Sequence, residues 1–306
     1  MMGKLTALIL LGMLTACGGG KDSGVNSVPV SGPTPPTHIP PVDPVALPWT
    51  KVLNTGQAHT IQGNVSIIEN FPMPQLNKTR RIWIYVPSDY AASGNRYQVL
   101  YMQDGQNVFD TATSYAGEWG VDETMQQMEQ EDAKFAAIVV AIDNGGSARS
   151  DEYLLSGHAK DYVDFIVQTL KPYIDSHYRT LADREHTSIA GSSFGAYVSL
   201  YAGLAHQTIF GKVAAFSNVT LYDGSLFNQF IAQLSKQQDM RIYTDIGQPE
   251  DLQSFGVVNA NQQIFNNLLA LGYSAQQVRL VIDPVGIHNE ASWRRRFPAA
   301  WRWLNP

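Results

Sequence analysis

A single cysteine, Cys17, occurs in the 306 residues. One thiol excludes an intramolecular disulfide, a metal–thiolate cluster and a disulfide-stapled fold, and it leaves no cysteine nucleophile downstream. Basic charge is also scarce. Lys and Arg number 21 against 27 Asp and Glu, giving a net charge of −6, so the chain lacks the basic footprint of a nucleic-acid binder. That acidity is mild and reads as ordinary solubility. The apolar run over residues 5–14 is too short to span a bilayer. What is plentiful is hydrophobic residues, at 44%, enough for one large domain or two small ones.

The position of Cys17 gives it meaning. Lys4, the short apolar run and Leu14-Thr15-Ala16-Cys17 form a basic start, an apolar core and a small-residue cleavage point, which is a secretory signal. Leu14-Thr15-Ala16-Cys17 resembles the lipobox of bacterial lipoproteins. The resemblance implies cleavage before Cys17, a lipid on the new N-terminus and, with Gly18 in place of an aspartate, the outer membrane. The periplasmic and cell-surface faces both stay open. Residues 17–49 then read as a tether rich in Gly, Ser and Pro, and residues 50–306 as the catalytic domain.

In that domain, strand patterns at 81–86, 97–102, 136–142, 187–190, 213–216, 241–243 and 278–282 alternate with helix patterns. The helix patterns cover 117–130, 158–177, 194–206, 226–236, 258–271 and 289–304. Alternation of this kind predicts an α/β fold, a mainly parallel sheet with helices on both faces as in α/β-hydrolases. Two strands before the first helix suggest an antiparallel entry.

Gly191-Ser192-Ser193-Phe194-Gly195 fits G-x-S-x-G between a strand and a helix, the setting of a nucleophile elbow. A serine hydroxyl needs a base, and the base an orienting acid. Two histidines follow Ser193. His206 falls at the end of the next helix and would project away, whereas His288 follows the last strand and would reach the sheet edge. For the acid, Glu250 is preferred over Asp251 and Asp245, with Asp223 and Asp283 as outsiders; each also reads as a capping or solvated carboxylate. Oxyanion donors are expected from the N–H of Phe194 and from Gly105 or Gln106. Asp104, Asn144 and Arg149 are possible substrate contacts. Arg149 and Glu152, placed in one loop, read equally well as a loop-ordering ion pair. Glu290 reads as a helix cap and Trp119 as core. No metal or organic cofactor is needed.

Several motifs carry a more specific resemblance: 101–109, Trp119-Gly120-Val121-Asp122-Glu123, Ile142-Asp143-Asn144, 170–175, Tyr178-Arg179-Thr180, the elbow, and Gly286-Ile287-His288-Asn289-Glu290 with Trp293. Over residues 78–304 the chain resembles the enterochelin esterase-like (esterase D-like) branch of α/β-hydrolases. The resemblance implies Ser193 and His288 as catalytic and points to Glu250 as the acid. It implies an ester substrate, a siderophore or a feruloyl or acetyl ester of a carbohydrate. A thioesterase and a non-catalytic binding lipoprotein are the alternatives. Relatives often carry Met-Gly-Gly where this chain has Phe194-Gly195-Ala196, a departure that keeps the turn.

Overall fold

The computed structural model describes residues 43–53, 56–223, 225–252 and 256–306. Cys17, the signal segment 1–16 and the tether up to residue 42 lie outside the described residues. In chain order the elements are β1 (Leu47–Pro48), α1 (Trp49–Val52), β2 (Asn64–Met73), β3 (Lys78–Val86), β4 (Gln98–Gln103), α2 (Val121–Glu131) and β5 (Ala137–Ile142). There follow α3 (Arg149–Tyr153), α4 (Ala159–Phe165), α5 (Lys171–His177), β6 (Thr187–Ser192), α6 (Phe194–Ala205) and β7 (Lys212–Phe216). The last are α7 (Leu226–Gln233), β8 (Arg241–Gly247), α8 (Val257–Ala270), β9 (Val278–Asp283) and α9 (Glu290–Leu304).

Among the described residues the strands form one nine-stranded sheet in the order β1-β2-β3-β5-β4-β6-β7-β8-β9. Pairing is antiparallel from β1 to β5 and parallel from there to β9. This is the α/β-hydrolase architecture expected. The antiparallel entry consists of β1, β2 and β3, whereas β4, the second of the two strands expected there, pairs parallel with both neighbours. β2 escapes the sequence pattern because a register shift between Ile68 and Phe71, with Asn70 at φ 54°, breaks its alternation. β1 lies within the stretch read as tether. Its pairing with β2, and the hydroxyl of Tyr173 on the Pro44 carbonyl at 2.5 Å, tie residues 44–48 to the domain.

The central strands are buried from end to end, so alternate side chains feed two separate cores. Val99 and Tyr101 of β4, with Ile138, Val140 and Ile142 of β5, join the core beneath α4, α5 and α6. Leu100 and Met102, with Val139 and Ala141, join the core beneath α2 and α9. α6 lies so close on the sheet that a Cβ at Gly203 would sit 2.2 Å from Cγ2 of Val213. The expected helix over 158–177 is present as α4 and α5, joined by a wide π turn at Ile166–Leu170 just before Pro172, which has no N–H to donate. No described helix is long and apolar enough to cross a membrane.

Candidate active site

Three strands, β4, β6 and β7, end on a non-glycine residue held at positive φ: Asp104 (58°), Ser193 (59°) and Ser217 (49°). Such backbones cost about 1–3 kcal/mol each and persist where surrounding contacts over-determine them. At Ser193 (φ 59°, ψ −125°) the constraint is visible. Its N–H donates to the Phe216 carbonyl at 3.0 Å, and its carbonyl accepts the N–H groups of Ala196 and Tyr197. The flanking glycines are required for packing. A Cβ at Gly191 would lie 2.6 Å from the Gly195 backbone, and one at Gly195 would lie 3.0 Å from Asp104 Oδ2 and Gln103 Cβ. The turn thus puts Ser193 at the start of α6, on the carboxyl edge of the sheet. Phe194 is the first helical residue, so its N–H has no partner within the helix.

His288 stands in the loop between β9 and α9 and is half-buried. Its Nδ1 lies 2.7 Å from Oε2 of Glu250. Glu250 is buried after β8, and its other oxygen, Oε1, accepts from Ser217 Oγ at 2.7 Å and from the Gly247 N–H at 2.8 Å. Burial pulls its carboxyl up, but the hydrogen bonds from His288, Ser217 and Gly247 outweigh it and hold the carboxyl below the usual glutamate range. An ionised carboxylate only accepts, so the His288 Nδ1 carries the proton and Nε2 is left as the basic nitrogen. Close packing makes room for this pair: a Cβ at Gly247 would stand 2.0 Å from the Gly286 carbonyl oxygen.

The remaining carboxylates have other partners. Asp251 Oδ1 accepts the N–H groups of Gly256 and Val258 and caps the start of α8. Asp245 falls inside β8, fully buried, with Arg296 Nε 3.2 Å from its Oδ2. Asp223 receives Tyr197 and the Leu155 N–H, and Asp283 receives Arg295 and the Val285 N–H. His206 ends α6, with Asp164 3.9 Å away, remote from the loop that carries His288.

Gly105–Asn107 forms one tight 3-10 turn after Asp104. A Cβ at Gly105 would meet the backbone at the end of β5 at 2.9 Å, which presses this turn against the sheet edge. The Arg149–Glu152 pair, one of the two readings the sequence allows, does not form. Residues 149–153 are helical, not loop, and α3 sends the two side chains to different partners. Arg149 grips Asp104 with two bonds, Nε–Oδ1 at 2.6 Å and Nη2–Oδ2 at 2.8 Å, and Asn144 adds Nδ2–Oδ1 at 2.7 Å. Glu152, fully buried, takes Lys78 at 2.7 Å and both oxygens' bonds from Arg80 at 2.8 Å. Asp104 thereby accepts three hydrogen bonds from protein groups, two on Oδ1 and one on Oδ2. The cap of α9 is Asn289, whose side chain accepts the Ser292 N–H at 2.9 Å. Glu290 instead meets Asn107 Nδ2 at 3.3 Å, and burial pushes its carboxyl above the usual range. Trp119 is core, packed on Trp293 and Phe216.

Two cavities meet at Ser193 and His288. One of about 380 Å³ is lined by Phe194, Val219, Tyr222 and Val257 as well as Glu250. The other, of about 720 Å³, is lined by Asn107, Thr113, Asn144, Arg149 and Glu290 together with Tyr115, Ala116 and Trp293. Sequence reasoning missed Ser217 and Arg296. Neither has a motif, since one simply follows a strand and the other sits in the run Arg294-Arg295-Arg296 that reads as a solvated helix face.

A strained strand-to-helix serine, a histidine after the last strand and an acid after the strand before it thus stand together at the carboxyl edge of an α/β-hydrolase fold. The chain matches the family described as "Putative esterase" over residues 74–304 and belongs to it. It is a carboxylic ester hydrolase. Uncharacterized protein YbbA of Bacillus subtilis (strain 168) is 21% identical over 242 residues, covering 74% of this chain and 92% of YbbA. Among solved structures, a ferulic acid esterase superposes with a TM-score of 0.63 at 18% identity, covering 80% of this chain and 99% of that one. The enterobactin esterase FES from Shigella flexneri, in the presence of enterobactin, superposes with a TM-score of 0.65 at 20% identity, covering 81% and 60%.

Proposed function

We propose that the protein hydrolyses carboxylic esters through a Ser193–His288–Glu250 triad. The observation that carries this reading is the 2.7 Å bond from His288 to the buried Glu250 beside the strained Ser193, with all three lining one cavity. Ser193 Oγ attacks the ester carbonyl carbon while His288 Nε2 takes its proton. The developing oxyanion is held by the N–H of Phe194 and by Gly105 or Gln106, donors worth about 3 kcal/mol each in such sites. Collapse expels the alcohol, which takes the proton from His288. Water then attacks the acyl-enzyme by the same steps in reverse, and Ser193 is restored. Glu250 stabilises the imidazolium throughout.

Both cavities mix polar and apolar lining, with Phe194 and Tyr222 in one and Tyr115, Arg149 and Trp293 in the other. The substrate classes proposed are siderophore esters and feruloyl or acetyl esters of carbohydrates. The lipobox-like segment supports an exported enzyme, anchored by a lipid on Cys17 in the outer membrane. Labelled palmitate should enter the full chain and not Cys17→Ser.

The decisive measurement is hydrolysis of p-nitrophenyl acetate and butyrate together with fluorophosphonate labelling. Wild type should turn over and label once per chain. Ser193→Ala should lose at least about 10³-fold in rate and all labelling. Equal rates in the two proteins would end the triad reading, and an unlabelled, inactive wild type would favour the binding lipoprotein.

A further inference from the structure

Ser217 joins the triad acid to a buried cation, and its hydroxyl is fully committed. Oγ lies 2.7 Å from Glu250 Oε1, 2.8 Å from Trp293 Nε1 and 2.8 Å from Arg296 Nη2. Indole and guanidinium nitrogens only donate, so the hydroxyl accepts from both and its single proton goes to Glu250. Arg296 Nη2 is itself 3.9 Å from Glu250 Oε1, a loose ion pair one short step from a direct hydrogen bond. Arg296 is 5% exposed, and its Nε and Nη1 have no well-directed hydrogen bond although Asp245 and Asp283 stand 3.2 and 3.5 Å away. A buried guanidinium with unspent donors is drawn toward any acceptor that becomes reachable.

We propose that Ser217 is a positioning residue that keeps Arg296 at arm's length from Glu250, passing the triad acid a neutral hydrogen bond in place of one from the guanidinium. This rests on the triad reading above. The backbone is built for the task. Ser217 is held at φ 49°, its N–H shared by the carbonyl and the Oδ1 of Asp245, so Oγ points between acid and arginine. The charged and titratable groups around this point are Asp245 and Tyr243 from β8, Glu250, Asp283 from β9, His288, and Glu290, Arg295 and Arg296 from α9. Only Arg296 is placed to move onto Glu250 when the hydroxyl is removed. A cation bonded to Glu250 weakens its support of the imidazolium and lowers the affinity of His288 for a proton.

Ser217→Gly deletes the hydroxyl and suits the positive φ. Ser217→Thr keeps the hydroxyl but strains the backbone. The Gly variant is expected to fall about 10–50-fold in kcat, with the acid limb of kcat/KM moving down by roughly half to one pH unit. The Thr variant should lose thermal stability yet keep the wild-type acid limb. Titration of His288 by NMR in Ser193→Ala, with and without Ser217→Gly, reads the same shift without turnover. A lowered His288 midpoint supports the proposal whatever becomes of the esterase assay. An unmoved midpoint overturns it, as does a Gly variant that keeps the wild-type kcat and limb.

Discussion

The two ends of the same parallel strands differ in kind. At the carboxyl ends of β4, β6 and β7 the chain leaves each strand through a strained residue, and three ion pairs with buried carboxylates gather there, Arg149–Asp104, His288–Glu250 and Arg296–Asp245. At the amino ends lies a cavity of about 750 Å³, as large as either one at Ser193, lined by Gln98, Lys212, Arg241 and Asn305. There the described residues show no strained backbone, and two of the cations rest on neutral acceptors: Lys212 on Gln98 and Asn305, Arg241 on the Trp303 carbonyl; the pairs Lys134–Asp132 and His186–Asp183 are exposed. Size therefore does not distinguish the site, whereas stored strain and buried opposed charges do. In a parallel sheet every helix that follows a strand starts at the carboxyl edge, so unspent N–H donors gather there.

The comparison breaks first on the acid. Glu250→Gln should lower kcat by about 10³-fold, because a neutral amide neither fixes the His288 tautomer nor stabilises the imidazolium. Asp251→Asn should stay within about twofold and cost roughly 1 kcal/mol through its cap. Parallel kinetics and thermal melts of the two variants separate the roles, and equal loss in both would refute the assignment. The depressed pKa of Glu250 also sets a pH signature. Its stability contribution is complete above the ordinary glutamate range and is lost as pH falls through the depressed value. Wild type minus Glu250→Gln should show that loss in acid melts.

The next effect tests the oxyanion turn. Gly105→Ala puts a methyl 2.9 Å from the β5 backbone, which cannot yield as a flexible side chain would. The turn must move off the sheet edge. About 10²-fold in kcat and roughly 2 kcal/mol of stability should go together. Full activity in a destabilised variant would remove this turn from the oxyanion site.

Arg149→Met probes the support beneath that turn. It leaves Asp104, 4% exposed, without its two-bond partner. Breaking such a pair costs about 3 kcal/mol, less here because the arginine is partly exposed. Activity toward a small p-nitrophenyl ester should fall only about tenfold by displacement of Gly105. A rise in KM alone, with stability unchanged, would instead make Arg149 a substrate contact.

These experiments fall on residues of unequal visibility in the sequence. The central strands were legible because they are short apolar runs bounded by helices. Ser193 and His288 were legible because chain order confines them to particular strand ends. β2 was not, since Glu69, Asn70 and Pro72 interrupt its alternation at the bulge. The choice among Asp245, Glu250 and Asp251 depends on where β8 stops. It runs on to Gly247, which turns Asp245 inward to Arg296 and frees Glu250 for His288. Ser217 acts through three partners that lie 33 to 79 positions away, a relation no local pattern carries.

The smallest expected effect belongs to the amino edge. Burial, and then the nearby Arg241, bring the Lys212 ammonium down from 10.5 to about 8. Between those values the unfolded chain binds more protons than the folded one, so stability should rise with pH from about 8 toward 10. Lys212→Met abolishes that rise. It also removes the donor to Gln98 and Asn305, which offsets the gain from no longer burying a charge, so stability at pH 7 should shift by no more than about 1 kcal/mol. Esterase kinetics should not change at all. Melts at pH 7, 8.5 and 10 give the slope directly, and a slope equal to wild type would show that the ammonium is hydrated in the folded state. Loss of turnover would be the more serious result, because it would couple the two edges through the sheet and undo the contrast between them.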